Sequence, residues 1–431
     1  MKTTRILIIQ QSSETIEATR EKIAQLENHG VISILTTVGA YDMVEDLVSL
    51  PDLILLDVEN DTSIEKMKKI SAGLKANALT GIIPIAVLSQ PSLFKHFDVA
   101  ANFDSRLAAD TLARRIRQVV RLSSMEIEYQ RRLETAESFG IKGPLVNDVR
   151  ELAPSSIRTL YLGKGERYFK LAAVFEGSAI LHRVENFIDA ATYLRDNQID
   201  CFVVDTVSYP LFCQSELEAL KENSRFFNLP TIVLQEGLDV DEQKEVIDGG
   251  LCDLFDLFDD ATEIASHVRT VVKSEYLRKS LLDAFSSPGL AKLNDKSTGL
   301  PTGVFFERHL AKLTAQSKAW NLPIAFGILS VTTTVSDARS SELNEAVGRM
   351  IGSLIRVEDI CTEIGNGKFV IAAPNSTTHS ISRLIKRIRA VLESTQLAEG
   401  DEAGRVRVKS DFFISKPQNT PKDVMQKLKS A

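Results

Sequence analysis

The sequence predicts an α/β protein: two doubly wound parallel sheets in tandem, followed by a smaller α+β domain. Three observations predict it. Short apolar runs ending in a carboxylate occur twice, at Leu53–Asp57 and Cys201–Asp205. Each is followed by a Pro-led apolar run, Pro84–Leu88 and then Pro230–Leu234. Near the C-terminus, two apolar runs flank a Gly-rich turn, the mark of an antiparallel hairpin. Buried-type strands separated by helices build parallel sheets whose functional edge lies at the strand carboxyl ends.

In order along the chain, Arg5–Ile9 is the first strand. Ser12 or Ser13 can cap the helix that follows, ending near Asn28-His29-Gly30. Leu53–Asp57 and Ile82–Ser89 are buried-type strands, and Leu107–Leu122 carries a helical apolar pattern. Residues 1–124 therefore form the first domain and 125–154 a helical linker, in which Met125–Ser138 is charged. Thr159–Leu162 opens the second domain, 155–275, which repeats the first as an internal duplication. A helical connector, Val268–Ser286, leads through a linker at 276–290 into the third domain, 291–431. There Leu343, Val347, Met350, Ile351 and Leu354 recur at helical spacing and carry a helix to Arg356. Ile360–Ile364 and Phe369–Ala373 form the hairpin. Ile381, Leu384, Ile385, Ile388 and Val391 mark the next helix's apolar face, with Arg383 and Arg387 four apart on the other.

Composition excludes several functions. A net charge of −7 gives no support for nonspecific nucleic-acid binding. No stretch approaches the ~18 uninterrupted apolar residues of a membrane span, and Ile6–Ile9 is too short for a signal-peptide core. Cys201, Cys213, Cys252 and Cys361 show no C-x-x-C spacing, as expected of free thiols in a reducing cytosol. The histidines form no zinc pattern, so no metal or cofactor is expected.

The most informative feature is Arg356-Val357-Glu358-Asp359, five residues ahead of Gly365-Asn366-Gly367-Lys368-Phe369. It resembles the inhibitory-site R-x-x-D of diguanylate cyclases, which precedes their G-G-[DE]-E-F signature at that offset. Asp295–Pro301 resembles the D-x-L-T-G-L start of the same domain. The resemblance implies a degenerate GGDEF domain. Active members need paired carboxylates to hold two divalent metals. Here the strand Ala325–Val331 carries no acid, and Gly367 and Lys368 occupy the signature's third and fourth positions. Thr332-Thr333-Thr334 replaces the base-reading stretch, and Thr302-Gly303 the usual Asn-Arg. No catalytic residue is therefore assigned, and the chain is not expected to be an enzyme. The product site reads differently. An Arg fork can grip guanine O6/N7 or a phosphate, and a carboxylate can accept from the guanine N1–H. Counting forward from the hairpin as in the family, the second arginine falls on Arg387 within Lys386-Arg387-Ile388-Arg389. Arg356, Asp359 and Arg387 are the expected cyclic di-GMP site. The bland alternative is a helix-end ion pair between Arg356 and Asp359.

Asp57 resembles the phosphoacceptor of a response-regulator receiver, with Ser89 as switch hydroxyl. The acidic pair that would hold Mg²⁺ is replaced by Gln10 and Gln11, and the expected Lys is absent near Ser105 and Arg106. In the second copy Asp205 has no acidic partner near Leu162-Gly163-Lys164, and Gln235 replaces the hydroxyl, leaving a structural, dimerising domain. The order receiver, receiver-like (both flavodoxin-like), degenerate GGDEF resembles the PopA-like/PleD-like response regulators of alphaproteobacteria. That resemblance implies a cytoplasmic, pole-localised homodimer that binds cyclic di-GMP. It also implies a histidine kinase or phosphotransferase acting on Asp57, and an adaptor role delivering a cell-cycle regulator to the ClpXP protease. The alternatives are a phosphorylation-driven scaffold with a relic R-x-x-D, and a residual cyclase or GTP-binding regulator. The residues do not identify the protein partners or their docking surface.

Overall fold

The computed structural model of this 431-residue chain describes residues 4–10, 25–27, 31–37, 50–58, 60–77, 80–105, 107, 109–151, 156–177, 179–209, 214–223, 225–236, 253–256, 261–333, 337–374, 376–395 and 406–430. The helix expected after Ser12 or Ser13, its Asn28-His29-Gly30 end, and Gln11 and Arg106 lie outside them.

The first sheet holds β1 (Thr4–Gln10), β2 (Val31–Thr37), β3 (Leu53–Val58), β4 (Ile85–Ser89) and β5 (Ala101–Asp104). All pair in parallel, in the order β2-β1-β3-β4-β5. Leu7, Ile9, Ile54 and Leu56 pack on helix α1 (Ile64–Ala76). The alternate residues Ile6, Ile8, Leu53 and Leu55 pack on α2 (Ala109–Glu137). Burial on both faces is why these strands read as unbroken apolar runs. The fourth strand starts at Ile85 rather than Ile82, because Pro84 lacks the N–H that a central strand donates.

After a short α3 (Val146–Glu151), the second sheet follows: β6 (Ile157–Leu162), β7 (Ala179–Val184), β8 (Cys201–Asp205), β9 (Thr231–Gln235) and β10 (Asp253–Asp256). Its order, β10-β9-β8-β6-β7, is the first sheet's order over again. Its helices are α4 (Glu166–Phe175), α5 (Phe187–Asp196), α6 (Gln214–Glu222) and α7 (Ala261–Phe285). Arg115 of α2 pairs with Asp253 of β10, which also holds His267 of α7, so the two domains meet through a charged contact.

The third domain begins with α8 (Pro288–Ala291) and α9 (Gly303–Trp320). There follow β11 (Ile324–Thr333), α10 (Asp337–Leu354), β12 (Ile360–Glu363), β13 (Lys368–Pro374), α11 (Thr378–Ser394), β14 (Val406–Ser415) and α12 (Pro421–Ser430). Its four-stranded sheet runs β12-β13-β11-β14, with antiparallel neighbours throughout. One face packs on α10 and α11 through Leu343, Val347, Ile351, Ile381, Ile385 and Ile388. The other face is closed by α9 and by the connectors. Met125, Tyr129 and Leu133 of α2 and Leu281 of α7 share one core with Phe306 and Phe326. Helix α2 runs unbroken across residue 125, and α7 across residue 276. The connectors are thus part of the third domain's core as well as extensions of the first two domains.

The carboxylate that ends β8 is wholly consumed by its own domain. Asp205 is fully buried. It accepts from Tyr161 Oη at 2.7 Å, from Arg167 Nη1 at 2.9 and 3.0 Å, and from the amides of Val207 and Ser208. Burial, with the bond to Asp205 next, pushes the Tyr161 hydroxyl well above its usual range, so it stays a donor. Arg167→Ala is expected to destabilise this domain by about 3 kcal/mol, the low end for breaking a buried pair, because Tyr161 and the two amides remain. Urea unfolding followed by circular dichroism measures this. A midpoint equal to wild type would mean that the guanidinium contributes nothing.

Candidate functional site

The apolar stripe of α10 ends at Leu354, and the chain turns at once into β12. The turn is closed twice. The Asp359 amide donates to the Arg356 carbonyl at 3.1 Å, and the Arg356 amide donates to Asp359 Oδ2 at 3.3 Å. Across the groove, Arg387 of α11 donates from Nη2 to the Leu354 carbonyl at 2.6 Å. A cation at a helix C-terminus satisfies a carbonyl left over by the helix and complements its dipole. The three residues expected to bind ligand therefore surround the end of α10. They are not equivalent. The side chains of Arg356 and Arg387 are exposed, while Asp359 is 6% exposed and lies beneath them. The Arg356 guanidinium sits 4.0 Å from Glu358 Oε1, so the ion pair it approaches is with Glu358.

Burial, then the neighbouring charge of Glu358, pushes the Asp359 carboxyl up to about 7, against the pull of Arg356. Residues outside the third domain complete this surrounding. Arg132 of α2 donates from Nη2 to the carbonyls of Val357, at 2.9 Å, and Asp359, at 2.8 Å. Arg121 Nε lies 3.4 Å from Glu358 Oε1. Sequence reasoning missed both arginines. The available signal was their separation by about three helical turns, which places them on one face of α2.

The opposite end of the hairpin holds the run Gly365-Asn366-Gly367-Lys368-Phe369. Residues Gly365–Lys368 form a tight turn, with the Lys368 amide donating to the Gly365 carbonyl at 3.0 Å. Asn366 (φ 55°) and Gly367 (φ 68°) are both left-handed, as an Asn-Gly type I′ hairpin turn requires. The Gly367 amide donates to Glu363 Oε1 at 3.1 Å, and its carbonyl accepts from Val331 at 2.9 Å. A Cβ on residue 367 would stand 2.7 Å from the Val331 carbonyl oxygen. Lys368 Nζ donates to the Lys429 carbonyl at 3.3 Å, near the end of α12. The strand β11 carries Ser330 opposite Lys368. Asp295 accepts four hydrogen bonds from Ser297 and Thr298, a local turn that lowers its pKa.

In the first domain, Asp57 is the penultimate residue of β3, half-buried, and accepts from Gln10 Nε2 at 2.8 Å. Gln10 is almost wholly buried. An amide donor thus meets the carboxylate from the position where a receiver's acidic residue would stand. Ser89 is buried at the end of the adjacent strand and donates to the Gln90 carbonyl at 3.2 Å.

No protein-family profile matches the chain, and no curated protein does. Solved structures do. The GGDEF domain of DgcB from Caulobacter crescentus in complex with c-di-GMP is 19% identical, over 32% of this chain and 86% of that one, with a TM-score of 0.31. The diguanylate cyclase SiaD from Pseudomonas aeruginosa, in complex with its activator SiaC, is 18% identical over 37% of this chain and 63% of that one, at 0.32. The GGDEF domain of PA1120 (TpbB or YfiN) from Pseudomonas aeruginosa is 16% identical over 32% and 84%, at 0.29. Identity and overlap this low leave the reading of the site to the chain's own residues. Among the described residues, no helix is long and apolar enough to cross a membrane.

Two outcomes follow from this geometry. Gly367→Asp should cost roughly 1–3 kcal/mol, because it puts a Cβ against a carbonyl at a left-handed position. Thermal unfolding measures it, and an unchanged midpoint would show that the turn relaxes freely. Asp359 has a folded-state pKa above its unfolded value of ~3.9. Its share of stability is therefore complete below that value and is lost as pH rises through about 7. Asp359→Asn should remove this slope from a stability–pH profile; an identical slope in both proteins would place the titration elsewhere.

Proposed function

We propose that this protein is a catalytically inactive receptor for cyclic di-GMP that acts as a signalling adaptor. Its third domain is read as a degenerate GGDEF domain that binds through Arg356, Asp359 and Arg387. The single observation that supports this best is the contrast between the two ends of the β12–β13 hairpin. At one end, two exposed guanidiniums and a carboxylate gather around the terminus of α10. At the other, the position where the family places a metal-binding acid is a left-handed glycine with no room for a side chain, followed by a lysine. The arginine forks suit guanine O6/N7 edges or the ligand's phosphates, and Asp359 suits the guanine N1–H and amino group. Asp359 must be ionised to accept from both, so ligand entry favours the deprotonated carboxyl.

On the PopA-like/PleD-like resemblance, we further propose a homodimer built on the first two domains, both read as receiver-like. A histidine kinase or phosphotransferase would act at Asp57, and the output would be polar placement and delivery of a cell-cycle regulator to ClpXP. The burial of Asp359 favours one second reading: a scaffold driven through Asp57, whose R-x-x-D is a relic. The ligand measurement separates the two.

Calorimetry with cyclic di-GMP is the test. Arg356→Ala and Arg387→Ala should each weaken binding roughly tenfold to a hundredfold, the ~1–3 kcal/mol of one bidentate contact. Wild-type affinity should rise with pH through about 7, following Asp359. Equal affinities in wild type and Arg356→Ala would reject this site. Incubation with GTP and Mg²⁺ should yield no cyclic di-GMP above a blank, and turnover would reject the inactive reading.

A further inference from the structure

We propose that Arg132 is the positioning residue of the ligand turn, so that helix α2 couples the first domain to binding in the third; the proposal rests on the cyclic di-GMP reading above. Helix α2 belongs to two cores. Leu112, Ile116 and Val120 pack on the first sheet, while Met125, Tyr129 and Leu133 pack in the third domain. One unbroken helix therefore cannot shift in one domain without shifting in the other. Its bonds to the turn are specific. Arg132 Nη2 holds the carbonyls on both sides of Glu358, and its Nε donates to Glu128 at 2.8 Å. Glu128 is itself paired with Arg131, and His309 Nε2 of α9 lies 3.1 Å from its Oε1. The Arg132 guanidinium also lies over the Phe285 ring of α7, 4.8 Å from its centre. Both connectors and the ligand turn thus meet at one side chain. Arg121 adds a second tie, through the Glu358 oxygen that Arg356 also faces.

Interdomain switches commonly move packed helices by about 1–2 Å. A shift of that size would stretch both bonds from Arg132, leaving two carbonyls of the turn short of a partner. The turn would reopen, and Asp359 and Arg356 would change position together. The first domain can reach the ligand site in this way without contacting the ligand.

The test uses the full chain and four variants: Arg132→Ala, Arg132→Lys, Arg356→Ala and Arg308→Ala. Arg308 lies in the same α2–α9 interface, donating to the Ser138 carbonyl at 2.8 Å, but away from the turn. Hydrogen exchange at residues 354–360 reads the turn, and calorimetry reads cyclic di-GMP. Arg132→Ala should speed exchange there and weaken binding, each by about tenfold. Arg132→Lys should recover part of both, because an ammonium can still donate to the two carbonyls. Arg308→Ala should leave both as in wild type, which distinguishes turn positioning from general loosening of the interface. Unchanged exchange or unchanged affinity in Arg132→Ala, with affinity lost in Arg356→Ala, overturns the coupling and leaves the ligand site standing. Equal effects of Arg132→Ala and Arg308→Ala also overturn it. Failure of the wild-type protein to bind overturns the ligand reading and the coupling to ligand with it. Should Arg132→Ala fail to fold, Arg132→Lys against Arg308→Ala carries the same decision.

Discussion

A carboxylate buried between two helices fixes how the domains of this protein are joined. Glu128 of α2 is 2% exposed and faces Arg131, Arg132 and the fully buried His309. Burial alone would raise its pKa. The positive charges beside it, His309 when protonated and then the guanidiniums of Arg131 and Arg132, outweigh that and hold it below the usual carboxylate range. Burial in turn lowers the pKa of His309. A buried ionic cluster of this kind adds little net stability over an apolar packing, but losing one partner strands the others at high cost. Its value here is geometric. It sets the register of α2 on α9, and that register determines which side chains α2 presents to the turn at Arg356–Asp359.

The two ends of the β12–β13 hairpin are closed in different ways. The turn after β12 is closed by positive backbone angles and by bonds to Glu363 and Val331, so residue 367 has no room for a side chain. The turn before β12 is closed by hydrogen bonds that include side chains from a different domain. The first closure lies wholly within the third domain. The second includes contacts from α2, far along the chain.

The two parallel domains share one topology but treat the carboxylate at the end of the third strand in opposite ways. Asp57 is half-buried and is met by the side-chain amide of Gln10. Asp205 is fully buried and bears an arginine, a tyrosine and two amides, which leaves it no capacity for new chemistry. The difference traces to one element. Helix α4 supplies Arg167, whose Nη1 donates to both Asp205 carboxylate oxygens. The second sheet has the strand order of the first, while its carboxylate is part of the core.

The strands and the hairpin were legible in the sequence because their signals are local: unbroken apolar runs, Pro and Gly punctuation, and an Asn-Gly turn that permits few conformations. The end of α10 at Arg356 was legible for the same reason, whereas Arg387 was placed beside it only by the family resemblance. What the sequence left open was the environment of each charge. Arg121, Glu128, Arg131 and Arg132 look like the solvated face of a linker, since a helix rich in charge ordinarily faces water. They are buried or paired because their partners, His309, Gln316, Val357, Glu358 and Asp359, lie far along the chain. The same holds for Asp359, which reads as a ligand carboxylate and sits under the turn, and for Asp205, whose partners come from neighbouring elements. Periodicity reports which face of an element is apolar. Only tertiary packing decides which charges are drawn out of water, because that depends on whether a partner of opposite sign arrives from elsewhere in the fold.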